Sequence, residues 1–91
     1  MSLNIVVFIK PEADFFTDFG KKLAALKEMT LRESGCDIFD FYKFENKYVL
    51  IERWADKAAI DAHMEEAYTK EFIRQTKAHL EETEVFKLEN I

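Results

Sequence analysis

In the run ERWADKAAIDAHMEEAYTKEF, residues 52–72, Glu52, Trp54 and His63 are the side chains whose types and spacing suit chemistry. An imidazole titrates near neutrality, so His63 suits proton transfer. It shares a helical stripe with Ala59 and Ile60, and a satisfied core histidine is the competing reading. Glu52 lies two residues before Trp54 and so on the same strand face. An inward carboxylate must be paired or hydrogen-bonded. It can orient His63 or a substrate hydroxyl, or form a cross-strand ion pair with a Lys or Arg. Trp54 is a large core anchor at a strand end, and its indole N–H needs a partner, which gives it a natural place at a pocket rim.

Other candidates are weaker. Tyr68 and Tyr42 are phenols within reach of such a pocket, and Tyr68 serves equally well as helix packing. Phe15, Phe16, Phe19 and Phe72 are core residues, of which Phe19 and Phe72 are candidates for an aromatic lining. His79 falls near a helix end, where the dipole favours a cation. With two glycines there is no phosphate-cradling loop, and there is no nucleophile elbow, no His-x-x-x-His and no carboxylate cluster with metal spacing. No metal and no cofactor is expected. The single cysteine, Cys36, forms no internal disulfide and no zinc site, and reads as a small buried residue in a strand. Nothing basic beside it would make it reactive.

These side chains must be held by one small domain, residues 1–91. A chain of this size buries roughly 60–65% of its unfolded surface. Nine Phe, three Tyr and one Trp are a large apolar load for it. Net charge is −5 and the 13 Lys and Arg are scattered, which argues against nucleic-acid and anionic-membrane partners. The start MSLNIVVFIK reads as neither signal peptide nor membrane span, so a cytoplasmic protein is expected.

The pattern predicts a first strand over 3–10 ending at Pro11, then a helix through residues 12–34 with Phe15, Phe16, Phe19, Leu23 and Leu26 at helical spacing. Gly20 marks close packing, and Gly35 is a stop able to take positive φ. CDIFDFYKFE is the second strand, Asn46 and Lys47 the hairpin turn, and KYVLIERW the third strand. Asp56 caps a helix through DKAAIDAHM. A break near residues 65–67 leads to a second helical stretch over 66–82, and TEVFKLENI is the fourth strand. The order β-α-β-β-α-β is that of an α+β, ferredoxin-like domain: a four-stranded antiparallel sheet with helices on one face.

The strands do not alternate apolar and polar. The first sets Ile5, Val7 and Ile9 against Val6 and Phe8; the second sets Cys36, Ile38 and Tyr42 against Phe39 and Phe41; the third sets Tyr48, Leu50 and Trp54 against Val49 and Ile51. Helices seal one face. The other is expected to pack against a second copy, making a homodimer through the sheet face.

With this order in place, ESGCDIFDFY, FENKYVLIERWADKAAIDAHM and YTKEF resemble the E-x-G-C strand, the E-x-W, D-x-x-A-x-x-x-H segment and the turn that follows it in the antibiotic biosynthesis monooxygenase family, of the dimeric α+β barrel superfamily. The resemblance spans nearly the whole chain. It implies a dimeric barrel with a pocket between sheet and helices, walled by Trp54, His63 and Glu52 and lined by Asn4, Tyr68, Phe19 and Phe72. Characterised members oxidise quinols or anthrones with O2 and without metal or flavin; others process the autoinducer-2 signal, degrade haem, or have no known activity. It therefore implies a cofactor-independent monooxygenase acting on a small planar phenol or quinol, with a non-catalytic ligand-binding or stress-associated module and an autoinducer-2-type enzyme as alternatives. His63 would bind or deprotonate the substrate hydroxyl, because a phenolate gives up an electron to O2 more readily than a phenol. Where many members carry a second histidine, this chain has Ala67-Tyr68-Thr69. Haem-degrading relatives carry a tryptophan and a haem-ligating histidine at the positions of His63 and Ile73, and an asparagine at or next to Asn4, so haem degradation is disfavoured.

Overall fold

The computed structural model describes all residues, Met1–Ile91. The chain runs β1 (Leu3–Pro11), a 3-10 turn (Ala13–Phe15), α1 (Phe16–Thr30), β2 (Cys36–Phe44), β3 (Lys47–Trp54), α2 (Lys57–Glu65), α3 (Ala67–Thr76), a second 3-10 turn (Lys77–His79) and β4 (Leu80–Leu88). The strands form one sheet in the order β2-β3-β1-β4, every neighbouring pair antiparallel. This is the expected α+β ferredoxin-like arrangement. No helix is long and apolar enough to cross a membrane.

Alternation along the strands decides what each face buries. Ile5, Val7 and Ile9 of β1, Phe39 of β2 and Tyr48, Leu50 and Trp54 of β3 are buried against Phe19, Leu23 and Leu26 of α1. The opposite face stays apolar and open. Tyr42, Phe44, Ile51, Phe86 and Leu88 are each between 41% and 56% exposed, with Val6, Phe8, Ile38 and Val49 half-buried among them. Strand β2 departs from simple alternation. Cys36 pairs with Trp54 but Ile38 pairs with Arg53, so Asp37 is an extra, bulged residue. The bulge puts Cys36 on the helix side with Phe39 and Phe41, leaving Ile38 and Tyr42 outside. The grouping of Cys36 with Ile38 expected from strict alternation is thus corrected.

Two boundaries also differ from expectation. The hairpin turns at Glu45-Asn46, with Glu45 at φ 55°, and Lys47 already pairs with Phe44. The last helix ends at Thr76 and not at 82. Residues 77–82 are good helix formers, but Leu80 pairs with Pro11 and the Glu12 amide donates to the His79 carbonyl at 2.8 Å. Sheet pairing overrides propensity there. The break between α2 and α3 falls at Glu66, whose ψ of 137° is extended.

Between α1 and β2 the chain passes close under α2. Gly35 sits at φ +87°, and a Cβ there would stand 2.6 Å from the Ala59 Cβ. Gly35→Ala should therefore destabilise by about 2–4 kcal/mol, combining left-handed strain with overpacking. Adding Ala59→Gly should recover part of that loss in urea denaturation, whereas purely additive effects would contradict the contact.

Candidate functional site

His63 reaches the interior because α2 is pinned at its start. The Asp56 carboxylate accepts from the Ala59 amide at 2.9 Å, an N-cap that fixes the helix just after β3. Two turns later His63 is 6% exposed and packs on Trp54, with ring centroids 4.8 Å apart; Phe39 flanks it at 6.0 Å. Trp54 is wholly buried, and its indole Nε1 donates to Glu52 Oε1 at 2.9 Å. Both partners stand on the inner face of β3, as their two-residue spacing requires. Glu52 thus serves the indole. It does not form an ion pair with a Lys or Arg.

The imidazole is oriented by a different carboxylate. Glu33, in the loop between α1 and β2, lies 2.7 Å from His63 Nδ1, with both side chains nearly buried. The Tyr68 hydroxyl, from α3, donates to the same Glu33 oxygen, Oε2. A carboxylate on Nδ1 selects the tautomer protonated there and leaves the Nε2 lone pair available when the ring is neutral. Nε2 makes no hydrogen bond within the chain, yet no fully buried side-chain nitrogen or oxygen is unpaired. Nε2 is therefore the nitrogen that meets the surrounding space. The resulting dyad, with one nitrogen anchored on a carboxylate and the other free, can accept and return a proton. Glu33 was given no role from the sequence. Its signal was the first letter of the E-x-G-C pattern, at the end of a predicted helix where a glutamate reads as solvated.

Burial sets the electrostatics. It raises the Glu52 carboxyl above the usual glutamate range, against the opposing pull of the Trp54 hydrogen bond and the nearby His63. Burial, and then the bond to Glu33, raises the Tyr68 phenol well above its ordinary value, so Tyr68 acts as a donor and not as a phenolate. Cys36 is pushed up to about 11, chiefly by burial and then by the charges of Glu33, Glu52 and Asp37, which suppresses its thiolate. No group of three or more His, Cys, Asp or Glu side chains is arranged to hold a metal ion.

The remaining sequence candidates are spread out. Phe19 is fully buried core, in tilted contact with Phe72 at 5.7 Å. The Asn4 side chain accepts from Arg53 Nε at 2.9 Å and donates to Asn90 at 3.2 Å, so its amide is engaged away from His63. Tyr42 lies on the outer face, and His79 pairs with Glu12 at 3.0 Å and stacks on Phe15. Asn4 nevertheless lines a cavity of about 310 Å³ together with Leu3, Ile5 and Ile60. The lining also includes the charged Lys57, Asp61 and Lys87 but not Glu52, Trp54 or His63. The cluster is a neighbour in the fold, since Leu3 is cross-strand from Trp54, Ile5 from Glu52, and Ile60 is one turn before His63. Tyr68 and Phe72 instead line a groove between α1 and α3.

Comparison with known proteins bears on the family and the fold. The family model described as "Antibiotic biosynthesis monooxygenase" matches residues 2–75. No curated protein matches the chain. Among solved structures, Rv0793 from Mycobacterium tuberculosis superposes with a TM-score of 0.93 at 22% identity, covering 100% of this chain and 96% of its own. PA3566 from Pseudomonas aeruginosa gives 0.91 at 22% identity over 99% and 94%. A structure of an antibiotic biosynthesis monooxygenase gives 0.90 at 20% identity over 98% of each chain. At these identities the structural matches speak for the fold.

The raised Glu52 carboxyl has a signature in stability. The folded chain holds that proton more tightly than the unfolded one, so ionisation costs stability as pH climbs from the ordinary glutamate value, about 4.3, to the raised folded value. Glu52→Gln removes this cost and can still accept from the indole. Its stability relative to wild type should rise from about pH 4 toward neutrality and then level off. A gap in urea denaturation that stays constant with pH would refute the assignment.

Proposed function

The chain belongs to the antibiotic biosynthesis monooxygenase family, and from that premise of a monooxygenase-type function we propose that it oxidises a small planar phenol or quinol with O2, using His63 as the base. The observation that carries this reading is the His63–Glu33 dyad at 2.7 Å with Nε2 left free. In this reading the substrate sits in the cavity beside Asn4 and Ile60, whose lining residues Leu3, Ile5 and Ile60 neighbour Trp54, Glu52 and His63 along the strands and α2.

The chemistry follows from the substrate's own electrons. His63 Nε2 takes the hydroxyl proton, and Glu33 stabilises the imidazolium that forms. The phenolate passes one electron to O2, giving superoxide and a substrate radical. These combine at a ring carbon activated by the phenolate, forming a C–O bond, and the imidazolium returns its proton to the peroxide. Where that carbon began as an anthrone-type CH2, loss of water leaves a carbonyl: one oxygen atom is in the product and the other in water. The wholly buried Trp54 and the desolvated Glu52 keep the surroundings poor in water, which strengthens each electrostatic contact.

The outer sheet face supports a second part of the proposal, a homodimer. Burying one Phe, Val or Ile side chain contributes on the order of 1.5–3 kcal/mol. Phe44, Ile51, Phe86 and Leu88 are all open on one surface, where a two-fold copy would cover them. Sedimentation at micromolar concentration should give twice 10.8 kDa, and Ile51→Glu should shift it to 10.8 kDa. A wild-type monomer would remove the dimer from the proposal.

Oxygen uptake with a panel of hydroquinones and anthrones tests the activity. Wild type should turn over at least one of them, and His63→Ala should lose about 10²–10⁴-fold in kcat/KM, the usual worth of a positioned general base. No turnover across the panel, or a variant equal to wild type, would defeat the reading.

A further inference from the structure

On the far side of Tyr68 from the Glu33 oxygen, an open groove of about 360 Å³ runs between α1 and α3. Its walls are Leu26 and Met29 from α1 and Tyr68 and Phe72 from α3. The Tyr68 hydroxyl is committed to Glu33, so the phenol offers the groove its ring. The volume falls in the range of small-molecule sites.

The rim carries two lysines, Lys21 and Lys22, and one carboxylate, Glu71. Lys21 has no carboxylate within salt-bridge distance, and Lys22 Nζ bonds only the neutral Gln75 Oε1, at 3.0 Å. Glu71, the one acidic residue of the lining, is already held by Arg74 Nε at 3.0 Å and Gln75 Nε2 at 3.1 Å. In a chain of net charge −5, two lysines that face a single carboxylate, itself already bonded by Arg74, which lowers its pKa with a smaller contribution from Lys22, make this aromatic-walled rim a local exception. An apolar floor disfavours a small, heavily hydrated anion, whereas a flat apolar body with one negative end suits both floor and rim.

We propose that the α1–α3 groove is a second small-molecule site, for a planar aromatic carboxylate lying against Tyr68, Phe72 and Met29 with its carboxylate on Lys21 and Lys22. It is separate from the cavity beside Asn4 and does not depend on the chemistry at His63.

The test is titration of the isotopically labelled full chain with sodium 1-naphthoate and, separately, neutral 1-naphthalenemethanol, followed by amide NMR. Naphthoate should shift resonances of residues 21–29 and 68–75 with a Kd of about 0.1–1 mM, as expected for so small a ligand, and should weaken with added salt. The alcohol should bind at least tenfold more weakly. The double variant Lys21→Gln, Lys22→Gln should bring naphthoate down to the level of the alcohol, and Ala25→Trp, which fills the open groove, should abolish both. Equal binding of acid and alcohol, shifts centred on Ile5 and Ile60 instead, or no shift at millimolar ligand would each overturn the proposal. Oxygen uptake by the lysine variant separates the two sites: it should match wild type, and a parallel loss of turnover would show the groove to be part of the His63 site.

Discussion

A single carboxylate ties the loop between α1 and β2 to α2 and α3. Glu33 leaves the chain just after α1, receives His63 from α2 and Tyr68 from α3, and sits two residues before the glycine that lets β2 begin. Truncating one member of such a buried polar set leaves the others uncompensated, which commonly costs 3–5 kcal/mol when the group is charged. The local geometry conspires to hold it. Gly35 lets the loop run against Ala59, and Asp56 starts α2 at the register that brings His63 over Trp54.

Two carboxylates approach this imidazole and are given different work. Glu33 accepts from His63 and Tyr68; Glu52 accepts only from an indole, and burial raises its carboxyl. The ring nitrogens become inequivalent in turn, Nδ1 bound and Nε2 free. Such inequivalence fixes which nitrogen carries the proton in the neutral ring.

The elements were legible because their patterns are strong. The apolar runs of β1 and β3, the stripe of Phe19, Leu23 and Leu26, Asp56 as a cap and Gly35 at positive φ all follow from local rules. What escaped depends on pairing between distant segments. The bulge at Asp37 appears only once β2 is set against β3, and the early start of β4 only once Leu80 meets Pro11. The site was legible in the same measure. Glu52, Trp54 and His63 converge because a strand period and a helix period each carry them inward. Glu33 lies 30 residues from His63, and no local period links them. Asn4 faces the far side of β1 because one residue of register decides the face.

The energetic oddity of the cluster bears on its purpose. Apolar residues of similar volume in place of a buried ion pair often leave a protein as stable or more so, by 1–4 kcal/mol. At 91 residues, with ten side chains in its buried core, this chain has little stability to spare. Yet it holds Glu33 and Glu52 around one histidine, where burial raises the Glu52 carboxyl and so works against its ionisation. Stability alone gives no reason to keep that arrangement, because an apolar set in place of the whole cluster would avoid it. Handling a proton beside an apolar cavity does give a reason, because it requires an imidazole held in one tautomer, dry and with one nitrogen exposed.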